Sequence, residues 1–411
     1  MECLKKLTGK LALLMTLCVP SAEAANQEIR ALFRPDPAQP NRNMFINTTP
    51  NSGYCAIHPT ECAGKKMFSI QVPIRFNSTR PISPGLSGVG VKAPADWRQL
   101  TVTNRDTQET ETVEIRITGM GSRYSLSHSA ASLVGVTDIL EGHQKLWIGG
   151  IGGSWDYAAP PCLYSGVGSY SDKSYSFFWK TPVQAACTKV PAFQVPAMVF
   201  EYFDFAYELR TPNPMGMSTG LYTGSLAYSV GRGGDFDMGQ AMVPDQTSLD
   251  LDFVLDVQHT LKVDLPPGGN KVALQPEGGW QPWIESGRKP TRIYADQLFY
   301  ISASSMFRVT LRCIKADVLA CALRSPNGES AVVNVILTLP NGIELNNVPV
   351  KEFYLQVDVP RGPFQPKHYV DRKGGTLRFE MTQASIDSLF RPGFSDTFSG
   401  NITVIWDSVV M

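Results

Sequence analysis

The stretch Phe398-Ser-Gly-Asn-Ile-Thr-Val-Ile-Trp406, close to the end of the chain, decides the fold. Its aromatic and aliphatic residues and one glycine recur at every second position, so one face of a β-strand carries them all. The chain ends at Met411, five residues later, and offers no following strand to pair with this one. A half-buried strand without a neighbour predicts a β-sandwich with an open groove, which a strand from another chain would fill.

The overall composition favours an all-β protein. The chain contains 35 Gly and 30 Pro, and only 18% of its residues are charged. This combination is typical of short strands joined by many turns, with few amphipathic helices. The formal net charge is zero, so we expect no nucleic acid partner, because binding phosphates requires an excess of positive charge.

The amino terminus predicts a signal peptide over residues 1–24. Lys5, Lys6 and Lys10 precede a short apolar run, and Ala22-Glu-Ala24 fits a cleavage site flanked by small residues. The apolar run is too short to cross a bilayer. We therefore expect an exported protein that starts near Ala25.

Six cysteines follow the signal peptide, and an even number in an exported protein indicates disulfides. They form three neighbouring pairs along the chain, and we favour the pairings Cys55–Cys62, Cys162–Cys187 and Cys313–Cys321 among all those possible. A metal site is the weaker alternative, because the chain has no Cys-x-x-Cys motif and its histidines are far apart.

The pattern along the chain predicts two domains. The segment 231–244 is rich in Gly and has the composition of a linker, and an alternating strand begins near Leu249. Further alternating strands separated by turns follow, such as the one from Phe353 to Val359, which is typical of an immunoglobulin-like β-sandwich. We predict a first domain over residues 25–240, a linker over 241–248 and a second domain over 249–411.

No catalytic motif stands out. The chain has no Gly-x-Ser-x-Gly elbow, no phosphate-binding loop with its Lys and no His-Glu-x-x-His. Asp235 and Asp237 are the best candidates for an acid and base pair, but their Gly-rich surroundings favour a solvated loop. We expect no enzyme activity, no cofactor and no metal.

Aromatic residues crowd the stretch 147–179, where they alternate with Gly and Ser. Aromatic rings bind the apolar faces of sugars, and acidic side chains accept hydrogen bonds from sugar hydroxyls. The candidate receptor-binding residues are Trp147, Trp155, Asp156 and Tyr157. The alternative is that these rings, Trp155 in particular, belong to the core.

The chain resembles the two-domain tip adhesins of Gram-negative fimbriae that a chaperone and an outer-membrane usher assemble. The stretch Asn47–Cys55, with Cys62 and the strand 68–73, resembles the opening of their receptor-binding domain. The stretches 208–228 and 231–237 resemble its close, and the strand 398–406 resembles the last strand of a pilin domain.

The resemblance implies that the second domain is a pilin sandwich lacking its last strand. A periplasmic chaperone first lends the strand, and the next pilin subunit then replaces it. It implies that one face of the strand forms the groove, namely Phe398, Gly400, Ile402, Val404 and Trp406. Gly400 would leave room for the chaperone strand, and the Met411 carboxylate would anchor the chaperone.

The function that the resemblance implies is adhesion at the tip of a fimbrium on the bacterial surface. The first domain would bind a host receptor, a glycan or a protein, and the usher would export the subunit. Two alternatives stay open from the sequence: a minor pilin that starts or caps the fibre without binding a receptor, and a secreted β-sandwich glycosidase.

Overall fold

A computed structural model describes residues 25–65, 67–85, 88–164, 168–316 and 320–409 of the 411-residue chain. The predicted signal peptide and the predicted chaperone anchor Met411 lie outside these residues. The prediction of an all-β protein is confirmed, because strands dominate the described residues and the helices between them are short. None of the helices in the described ranges is long and apolar enough to cross a membrane.

The first part of the chain contains sixteen strands and several short helices within the described residues. The strands are β1 (Ala25–Phe33), β2 (Ile46–Asn47), β3 (Ile70–Val72), β4 (Phe76–Ser78), β5 (Val89–Val91), β6 (Arg98–Asn104), β7 (Thr110–Leu126), β8 (Leu163–Tyr164), β9 (Ser169–Tyr170), β10 (Ser174–Lys180), β11 (Cys187–Lys189), β12 (Met198–Phe200), β13 (Phe203–Arg210), β14 (Gly220–Ser229), β15 (Met242–Pro244) and β16 (Ser248–Val257). The helices are α1 (Tyr54–Ile57), α2 (Pro59–Lys65), α3 (Ala130–Val134) and α4 (Ile139–Leu146), with 3-10 turns at Gly150–Gly153 and Pro214–Gly216.

Strand β7 organises the first domain. It is 17 residues long, and its buried residues alternate along the first half, as in Val113, Ile115 and Ile117. It pairs in turn with β6, β13, β10 and β12, and so joins most of a continuous 14-stranded sheet. The sheet surrounds one hydrophobic core that extends from Ala25 to Val257.

The predicted boundary between the domains is wrong. Strand β16 pairs with β14 over its whole length and runs parallel to β1, so it belongs to the first sheet. Its side chains Leu249, Leu251 and Phe253 are buried in the first core. The alternation that marks a strand does not tell which core buries it. The predicted linker 241–248 likewise contains β15, which pairs with β4.

The second part of the chain follows Val257 and has its own core. Its strands within the described residues are β17 (Leu261–Asp264), β18 (Gln275–Pro276), β19 (Ile293–Ala303), β20 (Phe307–Cys313), β21 (Ala320–Arg324), β22 (Ser330–Thr338), β23 (Ile343–Leu345), β24 (Val348–Pro349), β25 (Phe353–Tyr354), β26 (Arg361–Pro366), β27 (Val370–Met381) and β28 (Ile402–Ser408). Its helices are α5 (Gln281–Ser286) and α6 (Gln383–Leu389).

Two sheets enclose the core of the second domain. One has seven strands, in which β17 and β18 pair with β19, followed by β27, β22 and β21, and β25 pairs with β22. The other has five strands in the order β24, β23, β26, β20 and β28. Alternating residues from both sheets fill the space between them, such as Phe299 and Leu337 from one sheet and Val309 from the other. This arrangement is a β-sandwich.

The structure contains the three disulfides that the sequence favours. They join Cys55 to Cys62, Cys162 to Cys187, and Cys313 to Cys321. The first two lie in the first domain and the third lies in the second, where Cys313 ends β20 and Cys321 is in β21. Each domain is therefore cross-linked within itself.

Candidate functional site

The last described strand, β28, forms an open edge of the five-stranded sheet. It pairs antiparallel with β20, from Ile402 opposite Cys313 to Ser408 opposite Phe307. Within the described residues no strand pairs with its other edge. Backbone N–H and C=O groups along such an edge are available to another strand.

The side chains of β28 reach the core without being enclosed by it. Ile402, Val404 and Trp406 pack against the second core, but each of them is only half-buried. The Trp406 ring lies 5.0 Å from the ring of Phe299 and 5.8 Å from that of Phe307, measured between centroids. An apolar row that touches the core and still reaches solvent forms an open groove in the described part of the chain.

Cavities continue this groove beyond the start of β28. One of about 640 Å³ lies between the segment 272–274, helices α5 and α6, and residues 394–400. A second, of about 130 Å³, lies between Val272, Leu323 and Ile402. Gly400 lines both cavities. The groove is therefore continuous from the aromatic rings near α5 to strand β28.

Apolar side chains form the rim of the groove. Val272 is 40% exposed and Trp280 is 43% exposed, and both line the larger cavity. The ring of Trp283 meets that of Phe390 edge to face at 4.9 Å. Exposed aromatic and aliphatic residues that converge on one cleft indicate a binding surface for an apolar partner.

The predicted groove residues lie along this cleft, but not in a single strand. Strand β28 begins at Ile402, and Phe398 and Gly400 precede it as lining of the larger cavity. A Cβ added to Gly400 would lie 2.9 Å from Leu323 Cδ2. The close neighbour of Gly400 that the structure contains is therefore Leu323 of the same domain. A role of Gly400 toward a chaperone strand stays a prediction.

Two of the predicted receptor-binding residues are core residues, so that part of the prediction is wrong. Trp155 is fully buried and Trp147 is 1% exposed. The Trp155 ring stacks on Trp179 at 5.1 Å and meets Trp147 edge to face at the same distance. Rings of this size stabilise a core far more than a surface, and here they fill the space beside β10. Neither ring is accessible to a sugar.

The other two predicted residues differ from each other. Asp156 is half-buried, and its Oδ1 has no hydrogen-bond partner among the described residues. Burial lowers the pKa of Lys189 to about 8, and the charge of Asp156 opposes this shift. Tyr157 is 50% exposed and stacks on Tyr164, which is 53% exposed, with 6.2 Å between ring centroids. Of the four predicted residues, only Tyr157 presents a surface ring.

A cleft that the sequence patterns do not indicate lies at the first sheet, where β7 lies between β10 and β13. It consists of two cavities of about 280 and 180 Å³, which share the lining residues Thr118, Lys180 and Glu208. We call it the sheet-face cleft. No motif marks it, because its three shared residues come from three strands that only the fold brings together. In the sequence, the one indication of this site is Lys180, a single charged residue directly after the aromatic residues of β10.

Asp235 and Asp237 have structural roles. Burial raises the pKa of Asp235, but hydrogen bonds from Arg98 and Ser229 outweigh it and leave this pKa below its usual range. Asp237 accepts hydrogen bonds from the backbone N–H groups of Gly233 and Gly239, both at 2.8 Å. These contacts fix the Gly-rich loop. The described residues contain no cluster of three His, Cys, Asp or Glu that could hold a metal.

Comparisons with known proteins gave structural similarity alone. No protein-family model matches the chain, and no curated protein matches it in sequence. CfaE, the adhesive subunit of CFA/I fimbria of enterotoxigenic Escherichia coli, is 9% identical in sequence to this chain. The match covers 95% of this chain and 94% of CfaE, and its TM-score is 0.26.

Two further solved structures are similar in the same way. A chaperone–tip adhesin complex of CFA/I fimbriae is 8% identical, with 94% and 97% of the two chains covered and a TM-score of 0.28. The chaperone–tip subunit complex of archaic Csu pili of Acinetobacter baumannii is 9% identical, with 93% and 98% covered and a TM-score of 0.22. Over nearly its whole length, this chain is similar to the tip adhesins of chaperone–usher fimbriae.

Proposed function

We propose that this protein is a fimbrial tip adhesin whose second domain accepts a β-strand from a partner and whose first domain binds a host surface receptor, a glycan in particular. The observation that carries the proposal is the half-buried row Ile402, Val404 and Trp406 on a strand with an open edge. A domain that folded for itself alone would gain free energy by covering this row.

The groove has the features that strand addition requires. The open edge of β28 offers backbone hydrogen bonds over seven residues, about 23 Å of extended chain at roughly 3.3 Å per residue. The apolar side chains beneath it call for an alternating strand that inserts every second side chain. The larger cavity beside Trp280 and Phe390 provides space for the end of such a strand.

The proposed partners are those that would cover the groove at each stage of export and assembly. An exposed apolar groove promotes aggregation, so a periplasmic chaperone would cover it during export. The next pilin subunit would then cover it in the fibre, after passage through the outer-membrane usher. The protein would thus act at the tip of the fimbrium on the cell surface.

A minor pilin without receptor binding is the second candidate. The burial of Trp147 and Trp155 favours it, since these two rings were the main reason to place a sugar site on the stretch 147–179. For the adhesin proposal to hold, the receptor site must therefore consist of residues of the first domain other than Trp147 and Trp155.

The experiment uses the full exported chain, extended after Met411 by a flexible Gly/Ser linker and a strand of alternating Val and Thr. We expect the extension to raise the melting temperature of the second domain and to increase the monomer fraction in size-exclusion chromatography. The extended chain with V404D should lose both effects, because the carboxylate would stand in the groove. The matched control T403D carries the same charge on the exposed face of the same strand and should keep them.

An extension that changes neither property would contradict strand acceptance. Equal behaviour of V404D and T403D would also contradict it, since the stabilisation would then not come from the apolar row.

A further inference from the structure

We propose that the sheet-face cleft of the first domain binds a carboxylated sugar of a glycan, with Lys180 as the partner of the carboxylate. The inference deepens the proposed function, because it names the site and the ligand class of the receptor-binding domain. It is carried by three features of the cleft, namely a bulge, an unpaired cation and an unsatisfied hydroxyl, and by a pair of exposed tyrosine rings near it.

A β-bulge shapes the cleft. Between β7 and β13, Ala206 pairs with Gly119 and Tyr207 pairs with Ile117, so Thr118 has no partner residue on β13. A bulge of this kind redirects a side chain and interrupts the regular face of a sheet. Thr118 lines both cavities, and its carbonyl oxygen accepts a hydrogen bond from Thr181 N–H at 2.9 Å. The bulge thus joins the two cavities at one polar residue.

Lys180 is the uncompensated charge of the cleft. The other two cations of its lining have acidic partners: Arg116 binds Glu208 at 2.6 Å and Lys65 binds Glu61 at 3.3 Å. Lys180 is half-buried, and within the described residues it makes no ion pair or side-chain hydrogen bond. A single ammonium group against a partly apolar wall suits one monovalent anion, such as a sugar carboxylate.

An unsatisfied hydroxyl points to a ligand that donates or accepts hydrogen bonds. Thr181 is 2% exposed, lines the larger of the two cavities, and its Oγ1 has no partner among the described residues. A buried hydroxyl without a partner destabilises a fold, so such groups usually bind a ligand or an ordered water. A sugar hydroxyl placed beside the carboxylate would satisfy it.

Two exposed rings lie near the cleft, next to residues that line it. Leu163 lies opposite Lys180 on the neighbouring strand and lines the larger cavity. The next residue, Tyr164, stacks on Tyr157, and the Lys65 ammonium lies 5.3 Å from the centre of the Tyr164 ring. Both tyrosines are about half exposed, so they offer a face on which the apolar side of a following sugar can rest.

The test compares binding of the full exported chain to sialylated and uronic-acid glycans with binding to the same glycans after reduction of the carboxyl to an alcohol. We expect the acidic forms to bind more tightly. K180Q should weaken their binding by roughly 10- to 100-fold, the range for a hydrogen bond to a charged group, and should leave the reduced glycans unaffected. The matched control K173Q removes an exposed lysine of the same domain and should change nothing.

A second variant tests the hydroxyl. T181V keeps the volume and removes Oγ1, and we expect weaker binding of acidic and reduced glycans alike, together with an unchanged or higher melting temperature. A merely structural role of Thr181 would leave both affinities as they are.

Several outcomes would overturn the inference. These are equal binding of acidic and reduced glycans, unchanged binding in K180Q, and selective binding of sulfated glycans over carboxylated ones. Adhesion to host cells that does not depend on carboxyl groups would keep the proposed function and overturn only this inference. Carboxyl-dependent binding by a chain that accepts no donor strand would keep this inference and overturn the strand acceptance in the proposed function.

Discussion

Strands β10 and β28 have the same kind of sequence and different surroundings. Tyr175, Phe177 and Trp179 of β10 are at most 2% exposed, whereas Ile402, Val404 and Trp406 of β28 are only partly buried. Strand β10 has neighbours on both edges, and β28 has one on a single edge within the described residues. The difference shows that the alternation of apolar residues determines which side chains share one face of a strand. The neighbours of that strand determine whether this face is buried.

The largest effect is expected in the complete core. W155A should lower the free energy of unfolding of the first domain by ~3–5 kcal/mol, because it leaves a cavity among three or more rings. The matched control Y157A removes an exposed ring two residues away and should change the stability by about 0.5 kcal/mol or less. Chemical denaturation followed by tryptophan fluorescence measures both. A W155A variant as stable as Y157A would mean that the first core is not closed.

The stability of the first domain should also depend on pH through Asp204. Burial raises the pKa of Asp204 to about 7 from 3.8, and the hydrogen bond from Tyr54 N–H opposes the shift. The folded state then holds a proton that the unfolded state releases, so stability falls as pH rises from about 4 to about 7. The contribution is at most roughly 1.4 kcal/mol per unit of pKa change.

The measurement compares melting temperatures of the first domain at about pH 4.5 and about pH 8 in wild type and D204N. The amide mimics the protonated carboxyl, so D204N should remove most of the difference between the two pH values. A wild-type domain that is more stable at the higher pH, by an amount that D204N abolishes, would show that Asp204 is ionised in the fold.

The disulfides allow the stability of the two domains to be compared, because loop-closure entropy predicts the contribution of each one from the length of its loop. Cys162 and Cys187 are 25 residues apart, and Cys313 and Cys321 are 8 apart. Loop-closure entropy predicts losses of about 3.5 and about 2.5 kcal/mol when each pair is replaced by Ser. Each loss should appear only in the unfolding transition of its own domain. Equal losses in both transitions would show that the two domains unfold as one unit.

The smallest effect is expected in the uncovered groove. W406A should lower the stability of the free chain by about 1–2 kcal/mol, since part of the ring is already in water. In the chain extended by a donor strand the same change should have a larger effect, roughly 2–3 kcal/mol, because the ring is then enclosed. Thermal melts of W406A in the free chain and in the extended chain measure the two losses of stability. Equal losses would mean that the donor strand does not cover Trp406.

Local patterns made much of the fold predictable. The alternation from Phe398 to Trp406 predicts a strand whose side chains face a groove, and the structure has such a strand from Ile402. The local spacing of the cysteines also favours the pairs that are present. Both features depend on neighbours in sequence, which is why they could be inferred from it.

Features that depend on distant residues could not be inferred. Trp155 stands among Gly and Ser, as a surface ring would, but Trp147 and Trp179 enclose it. Strand β16 follows a Gly-rich loop, as a new domain would, yet it completes the first sheet. The sheet-face cleft needs the register of β7 against β13, which no stretch of sequence contains.

Hydrogen–deuterium exchange of strand β28 tests the central claim most directly. In the free chain, the amides of Ile402–Ser408 that point away from β20 should exchange rapidly, since no strand pairs with that edge in the described residues. In the chain extended by the alternating donor strand, the same amides should become protected by at least about tenfold, while those of β10 stay unchanged in both. Strong protection of the outer β28 amides in the free chain, or none after the extension, would contradict an open, strand-accepting groove.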